Sequence, residues 1–331
     1  MSIPVLLETR GLTKYFYPRQ GLFRRRREVV KALENIDLTI HQQETLGVVG
    51  ESGCGKTTLG RVLLSLVPPT SGQVYFEGVD LNALDRRARR DLRREMQIVF
   101  QNPYSSFDPR FTVLRSLSEP LRVHTQQRGA TLEQRARQLL EQVGMPVDAL
   151  YRYPHEFSGG QLQRIAVARA LALSPKFIVL DEPTSALDVS VQAQILNLLR
   201  GLQRQLQLTY LFISHDLSVV EYISNRIAVM YLGKVVEMIA TPDLVAGKAQ
   251  HPYTLTLLTA VPQVFSAQQR SRAAHPGGVA GAVRPPSGCS FHPRCPFAME
   301  VCRQVEPPLV QIGEGHFSAC HLVGKNTGYL G

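Results

Sequence analysis
The chain has no run of the ~20 consecutive apolar residues that a bilayer-spanning helix needs. Its opening residues, Met1-Ser2-Ile3-Pro4, show no basic leader running into an apolar stretch, so no secretory signal is expected. Cysteine is scarce, five in 331 residues, and acidic side chains are outnumbered, 27 against 37 basic ones. These shortages argue against an integral membrane protein and against a secreted scaffold built on disulfides. Disorder is excluded by what is plentiful: 44% of the residues are hydrophobic and only 19% charged, material for a large core. At about 100–200 residues per domain, the length permits one large domain with an appendage, or two. Left without a cause are the net charge of +10 and the crowding of four cysteines between Cys289 and Cys320.

The excess charge is local. Arg24 to Arg27 is an unbroken run, and Arg86-Arg87-Ala88-Arg89-Arg90-Asp91-Leu92-Arg93-Arg94 supplies a second cluster. Those ten arginines equal the whole net excess. Two solvated faces are the plain reading, and contact with acidic lipid headgroups or an acidic partner is the alternative. Nucleic acid is not expected as a partner, because no aromatic side chains interleave with either cluster as a stacking platform would require.

Strand and helix alternate from about residue 45 to 235. Thr45-Leu46-Gly47-Val48-Val49 reads as a buried strand and Lys56 to Leu66 as the helix after it. Phe177 to Leu180 and Tyr210 to Ile213 read as further apolar strands, with helical spacing at Val191, Ile195, Leu198 and Leu199 between them. Strands separated by helices imply a parallel sheet covered on both faces. Arg226 to Ile239 reads as a hairpin turning near Gly233-Lys234, and residues 112–175 carry helical periodicity without strands. From about residue 262, Gly, Pro, Ser and Gln become frequent and mark a linker into a small tail.

Three motifs carry chemistry. Gly50-Glu51-Ser52-Gly53-Cys54-Gly55-Lys56-Thr57-Thr58 has the spacing of a phosphate-binding loop between a strand and a helix. Its glycines let backbone N–H groups converge on phosphate oxygens at the positive end of the helix. Lys56 then reaches the β- and γ-phosphates, and the Thr57 hydroxyl ligates Mg²⁺. Cys54 reads as a small filler within the loop. The strand Phe177 to Leu180 runs into Asp181 and Glu182, placing one carboxylate for Mg²⁺ and the other for an attacking water. Ionised groups at a buried strand end have no structural purpose unless paired or metal-bound. Finally, Phe157-Ser158-Gly159-Gly160-Gln161 opens a helix with serine as its N-cap, about twenty residues before the carboxylates.

In this order the motifs resemble those of the nucleotide-binding subunits of ATP-binding cassette (ABC) transporters, and the resemblance covers residues 5–262. It implies an α/β P-loop NTPase cassette: a RecA-like core with an antiparallel β subdomain and a helical subdomain at about 102–175, then a cysteine-containing tail over 263–331. Gln101 matches the Q-loop, a Mg²⁺ ligand that also contacts the membrane partner. Ser158, Gly159, Gly160 and Gln161 match the signature, with Phe157 where leucine is commoner. Ser185-Ala186-Leu187-Asp188 match the D-loop, His215 the switch histidine, and Phe16, within Tyr15-Phe16-Tyr17, the aromatic that stacks on adenine. Gly50, Ser52, Gly53, Gly55, Lys56, Thr57 and Thr58 would hold ATP. Such cassettes work in head-to-tail pairs at the cytoplasmic face of the inner membrane, peripherally bound. The signature of one faces the ATP of the other.

His251-Pro252-Tyr253-Thr254, with Leu257, Leu258 and Pro262, resembles the oligopeptide and dipeptide importer branch, which nickel importers share. That branch implies a second, homologous ATPase subunit (a heterodimer), two transmembrane permease subunits and a periplasmic or extracellular solute-binding protein. A soluble ABC ATPase acting on nucleic acid or ribosomes is the competing class. It is disfavoured by the single cassette and by only about 100 residues between Lys56 and Ser158. A non-catalytic nucleotide-binding module is disfavoured by the presence of Lys56, Glu182 and His215. In the tail, Cys289, Cys295, Cys302 and Cys320 are spaced C-x5-C-x6-C-x17-C, wider than zinc-ribbon pairs. A cytosolic setting disfavours disulfides. The branch resemblance implies a [4Fe–4S] cluster, with zinc as the alternative, helped by the nearby His292, His316 and His321. With few apolar residues of its own, the tail is expected to depend on such a metal staple.

Overall fold
The computed structural model describes residues 3–17, 29–260 and 285–323 of the chain. The Arg24–Arg27 run and the Gly/Pro-rich stretch between residues 261 and 284 lie outside the described residues. No helix among the described residues is long and apolar enough to cross a membrane. The chain divides into two compact units, each assembled from separate stretches.

One unit comprises Met1–Leu6, Ile40–Thr45 and Val79–Ile213. Its strands Met96–Val99, Phe177–Asp181 and Thr209–Ser214 are parallel, with Val179 opposite Ile98 on one side and Leu211 on the other. Every residue of the last two strands is buried, as expected of unbroken apolar runs in a covered parallel sheet. Between residues 100 and 176 there is no strand. The α-helices there are Val113–His124, Ala130–Gln142 and Gly159–Leu171, in agreement with the helical periodicity. The helix expected around Val191 runs over Val189–Leu206 and buries Ile195, Leu196, Leu199 and Leu202. The arginine cluster at 86–94 forms the short helix Arg86–Leu92, no residue of which is buried.

The second unit comprises Leu7–Thr39, Leu46–Gly78 and Ser214–Gly331. An antiparallel layer is built on Val5–Phe16, whose Leu7 lies opposite Phe76 of Ser71–Phe76, with Val30–His41 at its other side. The strand Thr45–Val49 pairs in parallel, through Leu46 to Val49, with Arg226–Tyr231, which turns back antiparallel into Lys234–Ala240. The turn falls at Leu232-Gly233, one residue earlier than the sequence suggests. Both residues have positive φ, 46° and 82°, the pair of values a two-residue hairpin turn matched to strand twist demands. The first helix stops at Leu63 rather than Leu66. Ser65 adopts φ 51°, and Leu66 N–H then donates to Arg61 O at 2.9 Å, closing the helix end.

The tail, with few apolar residues of its own, packs on the rest of its unit. Its strand His316–Ser318 adds antiparallel to Lys234–Ala240, pairing Ser318 with Glu237, and Val310–Gly313 adds beyond it. Phe291 is buried against Tyr231 and Tyr253, with ring centres 5.4 and 5.3 Å away. The tail thus borrows the core of the unit it docks on. Glu237, fully buried, accepts from Gln250 N–H at 2.7 Å and from His251 N–H at 3.2 Å, and contacts His316 Nε2 at 2.8 Å. Removing that carboxylate would leave three polar groups, two of them on buried residues, without their partner. Glu237→Ala is expected to cost about 2–4 kcal/mol. Thermal unfolding would show it as a loss of roughly 5 °C or more, and a change within ~1 °C would contradict this role.

Candidate functional site
The phosphate-type loop leaves the buried Thr45–Val49 strand and enters the Lys56–Leu63 helix with Gly55 at the N-cap. Gly55 holds φ 109°, and a Cβ there would sit 2.2 Å from Ala32 O, so no other residue fits without moving backbone. The Lys56 side chain is buried and its ammonium donates to Gly50 O at 2.7 Å and Glu51 O at 3.0 Å. Those bonds fold the cation back over the loop rather than out to solvent. Thr57 and Thr58 occupy the first turn of the helix, where the helix dipole favours an anion. Ser52 and Gly53 are exposed at the loop's crest. Cys54 is buried, and burial pushes its thiol up in pKa. Its carbonyl accepts from Gly233 N–H at 2.9 Å, which ties the loop to the hairpin turn.

Spacing alone assigns no part to Glu51 or Tyr253. In the structure Glu51 N–H donates to Tyr253 Oη at 2.9 Å, and the Glu51 carboxylate is held by Arg294. Tyr253 is fully buried, and its own N–H donates to His251 Nδ1 at 3.1 Å. Burial pushes the His251 ring down to about 4, so it is neutral and able to accept that bond near neutral pH. The sequence signal for these residues was present in His251-Pro252-Tyr253, although nothing in it points to the loop 200 positions earlier.

Also in this unit are Phe16 and His215. Among the three neighbouring aromatics, Tyr15 is committed through its hydroxyl, which donates to Glu34 Oε1 at 2.9 Å. Phe16 and Tyr17 are 40% and 58% exposed, and the Lys14 ammonium lies 5.1 Å from the Phe16 ring centre. His215 is exposed just after the Thr209–Ser214 strand. The next residue, Asp216, starts a helix by accepting from Ser218 N–H at 2.9 Å.

The other unit gathers the carboxylates, the glutamine and the glycine-rich helix start. Asp181 is buried at the end of its strand. Glu182 follows with φ 47°, a backbone conformation that L side chains adopt at a cost and that turns this carboxylate away from the strand line. Gln101 Nε2 donates to Glu182 Oε2 at 2.8 Å, and Ser185 Oγ donates to Glu182 O at 3.1 Å. Gln101, Glu182 and Ser185 therefore form one cluster. Ser158 caps the Gly159–Leu171 helix, accepting from Gln161 N–H at 3.3 Å while Gln161 Oε1 accepts from Ser158 N–H at 3.0 Å. A Cβ on Gly160 would lie 2.3 Å from Val191 Cγ1, so a glycine lets this helix start pack against the Val189–Leu206 helix. Asp188 stands at the N-cap of that helix, exposed, with no side-chain capping bond.

Cys289, Cys295, Cys302 and Cys320 line one cavity, together with His251, Phe291 and Phe297 among others. Burial pushes Cys289 and Cys320 up and Cys295 up to about 11. Among the described residues, no three His, Cys, Asp or Glu side chains form a group that could hold a metal ion.

These sites can be set against known proteins. The ABC transporter family model matches residues 33–185, and a second, oligopeptide/dipeptide transporter, C-terminal region, matches residues 236–302. A putative peptide import ATP-binding protein of Brucella ovis is 48% identical over 97% of this chain and 98% of its own length. The chain belongs to the ATP-binding proteins of ABC transporters. The oligopeptide transport ATP-binding protein AppF of Bacillus subtilis is 45% identical over 96% of this chain and 97% of its own length. For the dipeptide transport ATP-binding protein DppF of Haemophilus influenzae the figures are 45%, 95% and 96%. Among solved structures, the dimeric cassette MJ0796 bound to ADP and Pi is similar at TM-score 0.62 and 29% identity, over 71% of this chain and 99% of that one. The cbiO1 protein of Clostridium perfringens is similar at 0.64 and 26%, over 74% and 92%. The chain is thus an ABC ATPase, and ATP with Mg²⁺ is what it acts on. A methyl group at residue 55 tests the loop directly. Gly55→Ala is expected to weaken ATP binding about tenfold or more, read by titration with a fluorescent nucleotide, and unchanged affinity would contradict the cradle.

Proposed function
We propose that this chain is the ATP-hydrolysing subunit of an importer that carries di- and oligopeptides across the cytoplasmic membrane. The observation that carries the reading is similarity over nearly the whole chain, cassette and C-terminal region alike, to proteins named for peptide import. In this reading Gly50 to Thr58 hold the phosphates, with Lys56 the charge that meets the β- and γ-oxygens. Thr57, Gln101 and Asp181 are the residues that would ligate Mg²⁺, which would supply charge neutralisation and a template for the phosphates. Glu182 orients or deprotonates the attacking water, and His215 holds the γ-phosphate side. Phe16 stacks on adenine. Supporting Glu182 in that part is the Gln101 amide bonded to its carboxylate, which restrains the rotamer.

Two cassettes pair head to tail, with Ser158, Gly159, Gly160, Gln161 and Asp188 of one against the ATP held by the other. The partner cassette is a different, homologous chain, and two permease subunits and an external solute-binding protein complete the complex. The subunit then sits peripherally at the cytoplasmic face of the membrane.

In the tail, Cys289, Cys295, Cys302 and Cys320 would hold a [4Fe–4S] cluster, with zinc as the alternative. Four thiols on the wall of one cavity are the donor set that either group would take. The cluster would serve as a structural staple between the turn at Cys289–Cys295 and the strand end at Cys320.

Two measurements test this reading. Glu182→Gln should retain ATP binding and lower turnover by on the order of 10²–10⁴-fold, and near-normal turnover would contradict the assigned role. Anaerobic purification followed by iron, sulfide and zinc analysis should find about four irons and four sulfides per chain. Zinc without acid-labile sulfide would sink the cluster.

A further inference from the structure
Every polar group of Glu51 is engaged, and two of its partners come from the chain beyond residue 250. Its N–H donates to Tyr253 Oη at 2.9 Å, and its carbonyl accepts from the Lys56 ammonium at 3.0 Å. The carboxylate receives both arms of the Arg294 guanidinium, Nη1 to Oε2 and Nη2 to Oε1, each at 2.8 Å. The two side chains are only 17% and 27% exposed. A two-bond pair of this kind fixes orientation as well as distance.

Arg294 is itself well held. It ends the short turn His292–Arg294, where its N–H donates to Phe291 O at 3.0 Å. Its guanidinium lies 5.7 and 5.9 Å from the ring centres of Phe291 and Tyr231. The tail has other attachments, through the His316–Ser318 strand and the contact of His316 with Glu237. An ordered ion pair aimed at the loop is therefore not required merely to keep the tail in place.

We propose that Arg294 is a positioning residue for ATP binding: by clasping Glu51 it sets the backbone of the phosphate loop, and so makes the C-terminal segment a working part of the nucleotide site. A chain of contacts carries the effect, from the guanidinium to the Glu51 carboxylate and from the Glu51 carbonyl to the Lys56 ammonium. The bond to Tyr253 fixes the other edge of the same residue. Without the clasp, the loop amides sample orientations that do not converge on phosphate, and affinity falls while the catalytic groups stay as they were. The inference rests on the reading of Gly50 to Thr58 as the ATP loop.

The test uses the full chain, with ATP affinity, steady-state kinetics and thermal unfolding measured on the same preparations. Arg294→Gln should raise the Kd and KM for ATP by about tenfold with kcat within about threefold. Glu51→Gln should do the same, and the double variant should be no worse than either, since each single change already breaks the pair. Arg294→Lys should recover part of the affinity, because an ammonium can keep one of the two bonds. Should Arg294→Gln fail to fold, Glu51→Gln and Arg294→Lys carry the same comparison. A lowered melting temperature with unchanged Kd and KM would overturn the proposal, as would additive effects in the double variant. Lys56→Ala separates the two claims: retained ATP binding in that variant overturns the loop reading and this inference with it. Lost binding in Lys56→Ala with normal binding in Arg294→Gln overturns the inference alone.

Discussion
Backbone N–H groups bind phosphate strongly only when they already point at one place, because turning them at the moment of binding would cost what the bonds return. The loop at residues 50–58 is arranged for that condition from every side. A buried strand feeds it, a helix takes it up, and Gly55 fits against Ala32 O where a methyl group would not. The hairpin turn at Gly233 bonds the Cys54 carbonyl, and the C-terminal side chains Tyr253 and Arg294 hold Glu51. The same element thus supplies the charge, through Lys56, and the restraint that makes the charge useful.

The carboxylate end follows a similar economy. Asp181 closes a strand that is buried throughout, so its position is set by the sheet rather than by its own contacts. Glu182 is placed by an uncommon backbone angle and restrained by Gln101. Glu182 is thereby kept half-exposed, while Asp181 is kept in the interior. The helix start at Ser158 satisfies its own backbone through the reciprocal Ser158–Gln161 bonds, and the buried Gly160 lets it pack closely against Val191.

Much of this was legible in the sequence, and the reasons are physical. Unbroken apolar runs such as Phe177–Asp181 and Thr209–Ser214 announce strands because both faces of a parallel sheet are covered. Phosphate loops are written in consecutive residues, so Gly50 to Thr58 can be read without knowing the fold. Element ends were less legible: the stop at Leu63 and the turn at Leu232-Gly233 depend on positive φ at Ser65 and Leu232, residues with no preference for it. Least legible was the tail. Its few apolar residues pointed to a metal staple, yet Phe291 finds its core on Tyr231 and Tyr253, and the Glu51–Arg294 pair joins residues 243 positions apart. A pair of that separation leaves no local pattern to read.

Taken together, these features describe a motor subunit whose nucleotide site is shaped in part by the segment that marks its branch of the family. The most direct test is ATP-driven uptake by the complex that copurifies with this chain from solubilised membranes, reconstituted into vesicles with its solute-binding protein. Labelled di- and oligopeptides should accumulate inside only when ATP is supplied on the cassette side, with the permease subunits present at stoichiometric amounts. Recovery of the chain without membrane subunits, or peptide movement indifferent to ATP, would contradict the account.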